Sequence, residues 1–357
     1  MQSFVYQALS QRVVFGFGTL TTIGDELKGL GLSRALVLST PQQRDSANAL
    51  AEQLGDLAVG IYDRATMHTP VEVTEDAMAM VRSLGADSVV SLGGGSTTGL
   101  GKAIALRTDL PQIVVPTSYA GSEATPILGE TENGIKATKR DNKILPEVIV
   151  YDVDLTLTLP ASMTVTSGMN AIAHAVEALY TQDRNPIISM LAQQGIEALV
   201  RALPAIHADS NDREGRSDAL FGAWACGTCL GAVGMALHHK LCHVLGGSFD
   251  LPHAETHTVI LPHATAHNER AVADLLAPVA KALGADSAGG GLWDFAKGLD
   301  APMTLAEIGM EEADLDRAAD LACANPYWNP QPMVRDEIRQ LLDDAFWGRR
   351  PGAERQK

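Results

Sequence analysis

The chain has few cysteines, fewer basic than acidic residues, and no long apolar run. It has four cysteines among 357 residues, and 27 basic against 43 acidic side chains give a net charge of −16. So few cysteines, without paired spacing, predict free thiols in a reducing, cytoplasmic compartment. The negative charge argues against nucleic acid and anionic membranes as partners. No run of 18 apolar residues occurs, so we expect no membrane-spanning helix.

The pattern of apolar residues differs between the two halves of the chain. The first half alternates short apolar runs with helical stretches, which predicts a parallel sheet covered by helices on both faces. After Pro160 the strand signals fade, and alanine-rich helical periodicity takes over. We therefore predict an α/β domain over residues 1–155 and an all-α helical domain over residues 156–357, with the ligand in the cleft between them. The predicted strands are 34–40, 59–62, 87–92, 112–116 and 147–152, and the predicted helices are about 166–182, 186–203, 217–247, 269–284 and 311–324.

Two small-residue loops follow predicted strands in the first half. Gly93-Gly94-Gly95-Ser96-Thr97 stands between a strand and a helical run, where glycines let a pyrophosphate approach the backbone and the helix supplies N–H donors. The second loop, from Pro116 to Thr125, is rich in hydroxyl groups. Together they predict a cradle for phosphate and ribose, with Lys136 within reach of a phosphate. A plain turn at the glycines and a solvated charge at Lys136 remain alternatives.

The second half concentrates imidazoles at helical spacing. Asn170 and His174 are four residues apart, as are His239 and His243, and His253 follows ten residues later. Residues at i and i+4 share one helix face, so each pair converges on one spot. Three imidazoles and an oxygen would form a divalent-metal site, but the oxygen at Asn170 is a neutral amide where a metal prefers a carboxylate.

These motifs together resemble the iron-containing (group III) alcohol dehydrogenases, over about residues 10–345. The resemblance implies a Rossmann-like N-terminal domain, an α-helical C-terminal domain, and NADH or NADPH as cofactor. Thr40 stands where NAD-selective members carry an acid that would repel a 2′-phosphate, so we expect use of both cofactors. Gly99 replaces the family's usual aspartate. The cofactor-binding residues that the resemblance implies are Thr40, Gly94, Gly95, Ser96, Thr97, Thr117, Ser118, Thr125 and Lys136.

Within the family, several segments are most similar to those of members that act on maleylacetate. The likeness implies NAD(P)H-dependent reduction of the carbon–carbon double bond of maleylacetate to 3-oxoadipate, during degradation of aromatic compounds. Metal-dependent members have an aspartate where this chain has Asn170. We therefore expect that no metal is required, although three histidines and a water remain sufficient for zinc. The segments are Pro116–Thr125, Gly168–His174, His238–Gly247 and Tyr327–Pro330.

The implied reaction assigns roles to the polar residues of the second half. A conjugated enone accepts hydride at the carbon β to its ketone, and hydrogen-bond donors stabilise the enolate that forms. His243 is the predicted proton donor or enolate stabiliser, because imidazole titrates near neutrality. His239 and His253 are expected to line the pocket and bind the carboxylates or the oxyanion. The predicted substrate-binding residues are Asn170 and His174, which hold the far wall, and Lys240, which attracts a dicarboxylate.

Other functions remain open from the sequence. A metal-dependent alcohol or polyol dehydrogenase of the same family would use Asn170 as a ligand. A lyase related to dehydroquinate synthase would need a fuller lysine and arginine phosphate pocket than the chain offers. A nucleotide-binding protein without catalysis would have no use for clustered histidines. From the resemblance we expect a homodimer, in which Phe4-Val5-Tyr6 is either an exchanged or a simple edge strand.

Overall fold

A computed structural model gives the fold of residues 3–132 and 135–352, apart from the side chains of residues 135 and 136. The chain separates into two compact units. One is Ala8–Leu159, and the other joins the segment ending at Gln7 to the residues from Pro160 onward. The predicted domain boundary after Leu155 lies a few residues before this division.

Short runs of β-branched and other apolar residues build a six-stranded sheet in the first unit. Its order is β1-β8-β5-β4-β2-β3, and every neighbouring pair is parallel. The prediction of a parallel sheet is confirmed. The elements are β1 Arg12–Gly16, α1 Ile23–Gly29, β2 Ala35–Leu38, α2 Arg44–Leu54, β3 Ala58–Tyr62, α3 Val71–Leu84, β4 Ser88–Gly93, α4 Gly95–Thr108, β5 Gln112–Pro116, β6 Ile127–Glu132, β7 Ile135–Arg140 and β8 Val148–Asp152.

Alternate side chains of the central strands enter two separate cores. Val37 of β2 packs in a core with residues of α1 and α2, such as Ile23 and Leu50. Its neighbour Leu36 packs in a second core with residues of α3 and α4, such as Leu100. Because side chains of a strand alternate between its faces, one apolar run covers both sides of the sheet. The carboxyl ends of β5, β4 and β2 are therefore held side by side.

Helices make up the regular structure of the second unit among the residues described, which confirms the predicted all-helical half. No single described helix is long and apolar enough to cross a membrane, although the bent pair α7 and α8 passes the same test of length and composition together. The helices are α5 Ala161–Tyr180, α6 Pro186–Ala208, α7 Arg213–Ala232, α8 Leu237–Phe249, α9 His253–Leu283, α10 Ala288–Gly298, α11 Leu315–Ala324 and α12 Arg335–Phe346.

The structure corrects the helix prediction over residues 217–247. This stretch is two helices, α7 and α8, which meet at 94°. Val233 takes an extended conformation after α7, and Gly234 follows it with its N–H bonded to the carboxylate of Asp183. His238 and His239 therefore lie in the first turn of α8 and not in the middle of one long helix.

Candidate functional site

The glycine-rich loop of the first unit lies where three strands end together. Gly93 ends β4 at φ +154°, and a Cβ there would lie 2.5 Å from Thr97 Oγ1 and 2.6 Å from Gln43 Oε1. A Cβ on Gly94 would lie 3.1 Å from Ser118 Oγ. The two loops thus approach so closely that side chains on these glycines would collide with their neighbours. The long helix α4 begins at Gly95 and directs its first N–H groups to this edge.

Gln43, which the sequence did not single out, joins the loops that follow β2 and β5. Its Nε2 donates to Thr117 Oγ1 at 2.8 Å, and its Oε1 accepts from Thr40 Oγ1 at 3.3 Å. The predicted residues Thr40, Thr117 and Gly94 therefore belong to one connected edge of the sheet.

Other predicted cofactor residues lie deeper in the unit or outside the description. Thr97 is fully buried, and Thr125 is 1% exposed with its Oγ1 bonded to Lys102. Their roles as direct cofactor contacts stay predictions. Lys136 lies in β7, and its side chain is outside the described residues. Gly99 leaves room for Thr69, because a Cβ would lie 2.3 Å from Thr69 Oγ1.

Lys102 anchors the second loop from the interior of α4. Its Nζ donates to the carbonyl oxygens of Ser122, Thr125 and Ile127 and to Thr125 Oγ1. Burial lowers the pKa of Lys102 to about 7, opposed by the nearby Glu123 charge. The signal in the sequence was a lysine inside an apolar helical run, which predicts a buried partner rather than a surface charge.

Buried imidazoles converge in the second unit, as the spacing predicted. The ring centroids of His174 and His239 lie 5.2 Å apart, and those of His239 and His257 lie 5.0 Å apart. Burial lowers the pKa of His174 well below its usual value, and the neighbouring His239 and His253 act in the same direction. Five buried polar atoms of this cluster find no hydrogen-bond partner among the described residues: Asn170 Oδ1, His174 Nδ1, His238 Nδ1, His239 Nε2 and His257 Nε2.

His243 and His253 stand toward the outside of this cluster. His253 is exposed at the start of α9, with its ring 4.3 Å from that of His257. His243 is half-buried, and its Nδ1 lies 2.9 Å from the hydroxyl of Tyr327. Lys240 Nζ lies 5.6 Å from the centroid of the Tyr327 ring. Tyr327 thus contacts two predicted site residues, although no role was predicted for it from the sequence.

Glu177 is the principal residue that the sequence interpretation missed. It is fully buried on α5, three residues beyond His174, and its Oε2 lies 2.7 Å from Nδ1 of His239. The i+3 spacing from His174 was the available signal, because such residues share a helix face.

The donor set matches a family metal only in part. Asn170 is neutral, so the four expected ligand positions, Asn170, His174, His239 and His253, offer no carboxylate. Among the residues described, one group of three His, Cys, Asp or Glu side chains has its ligand atoms within 4.8 Å of one another. This group is His238, Cys242 and His257. That cluster has an ordinary explanation, since His238 Nε2 and His257 Nδ1 lie 2.9 Å apart and share a hydrogen bond. That the chain requires no metal stays a prediction: Asn170 brings no negative charge, while Asn170 Oδ1, His174 Nδ1 and His239 Nε2 are buried without partners among the described residues.

Comparisons with known proteins agree with this architecture. Residues 10–153 match the model of iron-containing alcohol dehydrogenases, and residues 164–346 match that of the C-terminal part of the Fe-containing alcohol dehydrogenase family. Maleylacetate reductase of Rhizobium sp. (strain MTP-10005) is 60% identical over 98% of this chain and 100% of its own. The crystal structure of maleylacetate reductase from Agrobacterium tumefaciens superposes with a TM-score of 0.96, at 60% identity over 98% of this chain and 100% of that one.

A more distant structure shows the same fold. Sulfoacetaldehyde reductase from Bifidobacterium kashiwanohense, solved in complex with NAD+, has a TM-score of 0.88 at 20% identity, covering 96% of this chain and 98% of that one. Family models cover most of the chain, and the relatives match it over nearly its whole length. The chain therefore belongs to the iron-containing alcohol dehydrogenase family of oxidoreductases.

Proposed function

We propose that this chain is a maleylacetate reductase, which uses NADH or NADPH to reduce the carbon–carbon double bond of maleylacetate to 3-oxoadipate. The observation that carries the proposal is the 60% identity to the reductase of Rhizobium sp., which extends over 98% of the chain. The asparagine at position 170 supports it, because reduction of a conjugated enone needs a Lewis acid less than reduction of a plain carbonyl does.

In this proposal the first unit binds the cofactor. The glycines at 93 and 94 allow the backbone to approach a pyrophosphate, and the N–H groups that open α4 face the same edge. Thr40 carries no charge that would repel a 2′-phosphate, which supports the use of both NADH and NADPH. The family relative solved with NAD+ supports a nicotinamide cofactor in this fold.

The chemical step then needs one hydride and one proton. Bound NADH or NADPH would supply the hydride, which adds to the carbon β to the ketone of the substrate, and the π electrons move onto the ketone oxygen as an enolate. The α carbon takes its proton from Nε2 of protonated His243, and the ring is left neutral with its remaining proton on Nδ1. Nδ1 lies 2.9 Å from the hydroxyl of Tyr327, whose oxygen can accept from it before and after the transfer. Burial raises the pKa of Tyr327, so the phenol keeps its proton near neutral pH.

The remaining site residues would bind the dicarboxylate. His253 and Lys240 carry the exposed or half-buried polar groups that can meet carboxylates. His239 points its Nδ1 at Glu177, so the neutral ring offers an acceptor and not a donor at Nε2. We therefore assign the oxyanion contact to His253, and leave Asn170 and His174 in the wall behind it. No step of this mechanism passes through a metal.

Two further properties belong to the proposal. The expected homodimer is supported by the family likeness alone. The expected cytoplasmic location is supported by four cysteines that are all free thiols.

The test is a substrate panel run with the purified chain. We expect NADH and NADPH oxidation with maleylacetate, and none with simple aldehydes or ketones. Efficient oxidation of simple alcohols, with no reduction of maleylacetate, would contradict the proposal and favour a metal-dependent alcohol dehydrogenase.

A further inference from the structure

One fully buried carboxylate accepts hydrogen bonds from four groups around the imidazole cluster. Oε2 of Glu177 accepts from the backbone N–H of Ala236 at 2.9 Å and lies 2.7 Å from Nδ1 of His239. Oε1 accepts from the N–H of His238 at 2.8 Å and from the Tyr180 hydroxyl at 3.2 Å. Such a fully occupied acceptor fixes the groups around it in one arrangement.

The partner of His239 determines where that imidazole carries its proton. A carboxylate can only accept, so the ring must donate from Nδ1. In the neutral ring, Nε2 is then left as a lone pair, and this atom is buried without a partner among the described residues. Glu177 thus selects one tautomer and one ring orientation for His239.

The same carboxylate also holds the beginning of α8. Its two backbone contacts, Ala236 and His238, bracket the first residue of the helix that carries His239 and His243. A shift of Glu177 would therefore move both histidines, because they lie on one rigid helix.

A chain of side chains extends from Glu177 to the segment that carries Tyr327. The Tyr180 hydroxyl accepts from Asn268 Nδ2 at 3.1 Å, and Asn268 exchanges hydrogen bonds with Asn329 at 2.9 and 2.6 Å. Asn329 Oδ1 also accepts from the N–H of Leu237, at the start of α8. Glu177 is thus joined through side chains to Asn329, which lies two residues from Tyr327, the partner of His243.

We propose that Glu177 is the positioning residue of the histidine site: it fixes His239 as the Nδ1–H tautomer and holds α8 so that His243 meets Tyr327. The effect on turnover rests on the function proposed above, whereas the tautomer does not.

The decisive variant is Glu177→Gln, which keeps the size of the side chain but turns one acceptor into a donor. If the amide N–H₂ faces His239, it must donate to Nδ1 and move the ring proton to Nε2. Glu269→Gln is the matched control. Glu269 accepts the backbone N–H groups of Ala288 and Gly289 at the start of α10, so it makes the same kind of helix-start contact without an imidazole.

The measurements are the His239 tautomer, by long-range ¹H–¹⁵N spectra of histidine-labelled protein, and steady-state kinetics with maleylacetate. In the wild-type chain we expect His239 as Nδ1–H. In Glu177→Gln we expect the tautomer to change and kcat to fall about 10–100-fold, with the KM for NADH unchanged. Glu269→Gln should keep both the tautomer and kcat.

Several results would overturn the proposal. They are a wild-type His239 protonated at Nε2, a Glu177→Gln enzyme with wild-type kcat, or an equal loss of kcat in the control variant. If Glu177→Gln does not fold, the wild-type tautomer and the charge-retaining Glu177→Asp variant still decide, since we expect Asp to restore part of kcat. A wild-type chain that leaves maleylacetate unreduced but shows the Nδ1–H tautomer would refute the proposed function alone.

Discussion

Replacing Asn170 by aspartate restores the carboxylate that metal-dependent members of the family carry. Asn170 is 3% exposed, and its Oδ1 finds no partner among the described residues. A carboxylate there would be an unpaired buried charge beside imidazoles that burial keeps neutral, such as His174. We therefore expect Asn170→Asp, in the presence of a chelator, to lower the free energy of unfolding by about 3–5 kcal/mol.

Zinc should then recover most of this loss. A metal present at roughly 100 times its Kd stabilises the folded state by about 2.7 kcal/mol. The assay is thermal and denaturant unfolding of both proteins with EDTA and with Zn²⁺, together with metal content by mass spectrometry. Asn185→Asp is the control, because Asn185 caps the start of α6, where a carboxylate is favoured and no imidazole site is formed. An Asn170→Asp chain as stable as the wild type in EDTA, with no response to zinc, would refute the reasoning.

Three further outcomes follow from the contacts described. Tyr327→Phe removes the hydroxyl that lies 2.9 Å from Nδ1 of His243, so kcat for maleylacetate should fall about tenfold or more while Tm changes little. An unchanged kcat would show that Tyr327 has no part in the mechanism. Lys102→Met leaves several buried acceptors without a donor, so it should lower the free energy of unfolding by about 3 kcal/mol or more and raise the KM for NADH. If denaturant unfolding and steady-state kinetics show both quantities unchanged, the anchoring role is contradicted. Burial lowers the pKa of His263 from 6.5 to about 4, so the unfolded chain binds the proton first and stability falls as pH drops through this window, by about 3 kcal/mol in total. In pH-dependent unfolding, His263→Gln should flatten that part of the profile, and an equal slope in both proteins would show that another group titrates there.

The sequence predicted five of the six strands of the large sheet, because buried parallel strands are continuous apolar runs. The edge strand β1 was not predicted. The antiparallel hairpin of β6 and β7 was missed, since its strands mix charged and apolar residues. The glycine-rich stretch Ala288–Gly291 opens α10 despite the low helix propensity of glycine. Ser287 and Glu269 accept its first N–H groups, and a Cβ on Gly289 would lie 2.5 Å from Ala266 Cβ.

The site was predictable where it depends on helical spacing and not where it depends on distant contacts. The i+4 pairs on α5 and α8 gave Asn170, His174, His239 and His243 directly. Glu177 reaches His239 across 62 positions of the chain, a contact that spacing alone does not reveal. Tyr327 likewise reaches His243 across 84 positions.

The most direct test of the account measures NADH oxidation with maleylacetate before and after exhaustive chelation, with metal content determined on the same sample. We expect rapid turnover that survives the removal of metal, because Asn170 contributes no charge to a metal site and His243 supplies the proton. Turnover that is lost on chelation and restored by Fe²⁺ or Zn²⁺ would contradict the metal-free mechanism.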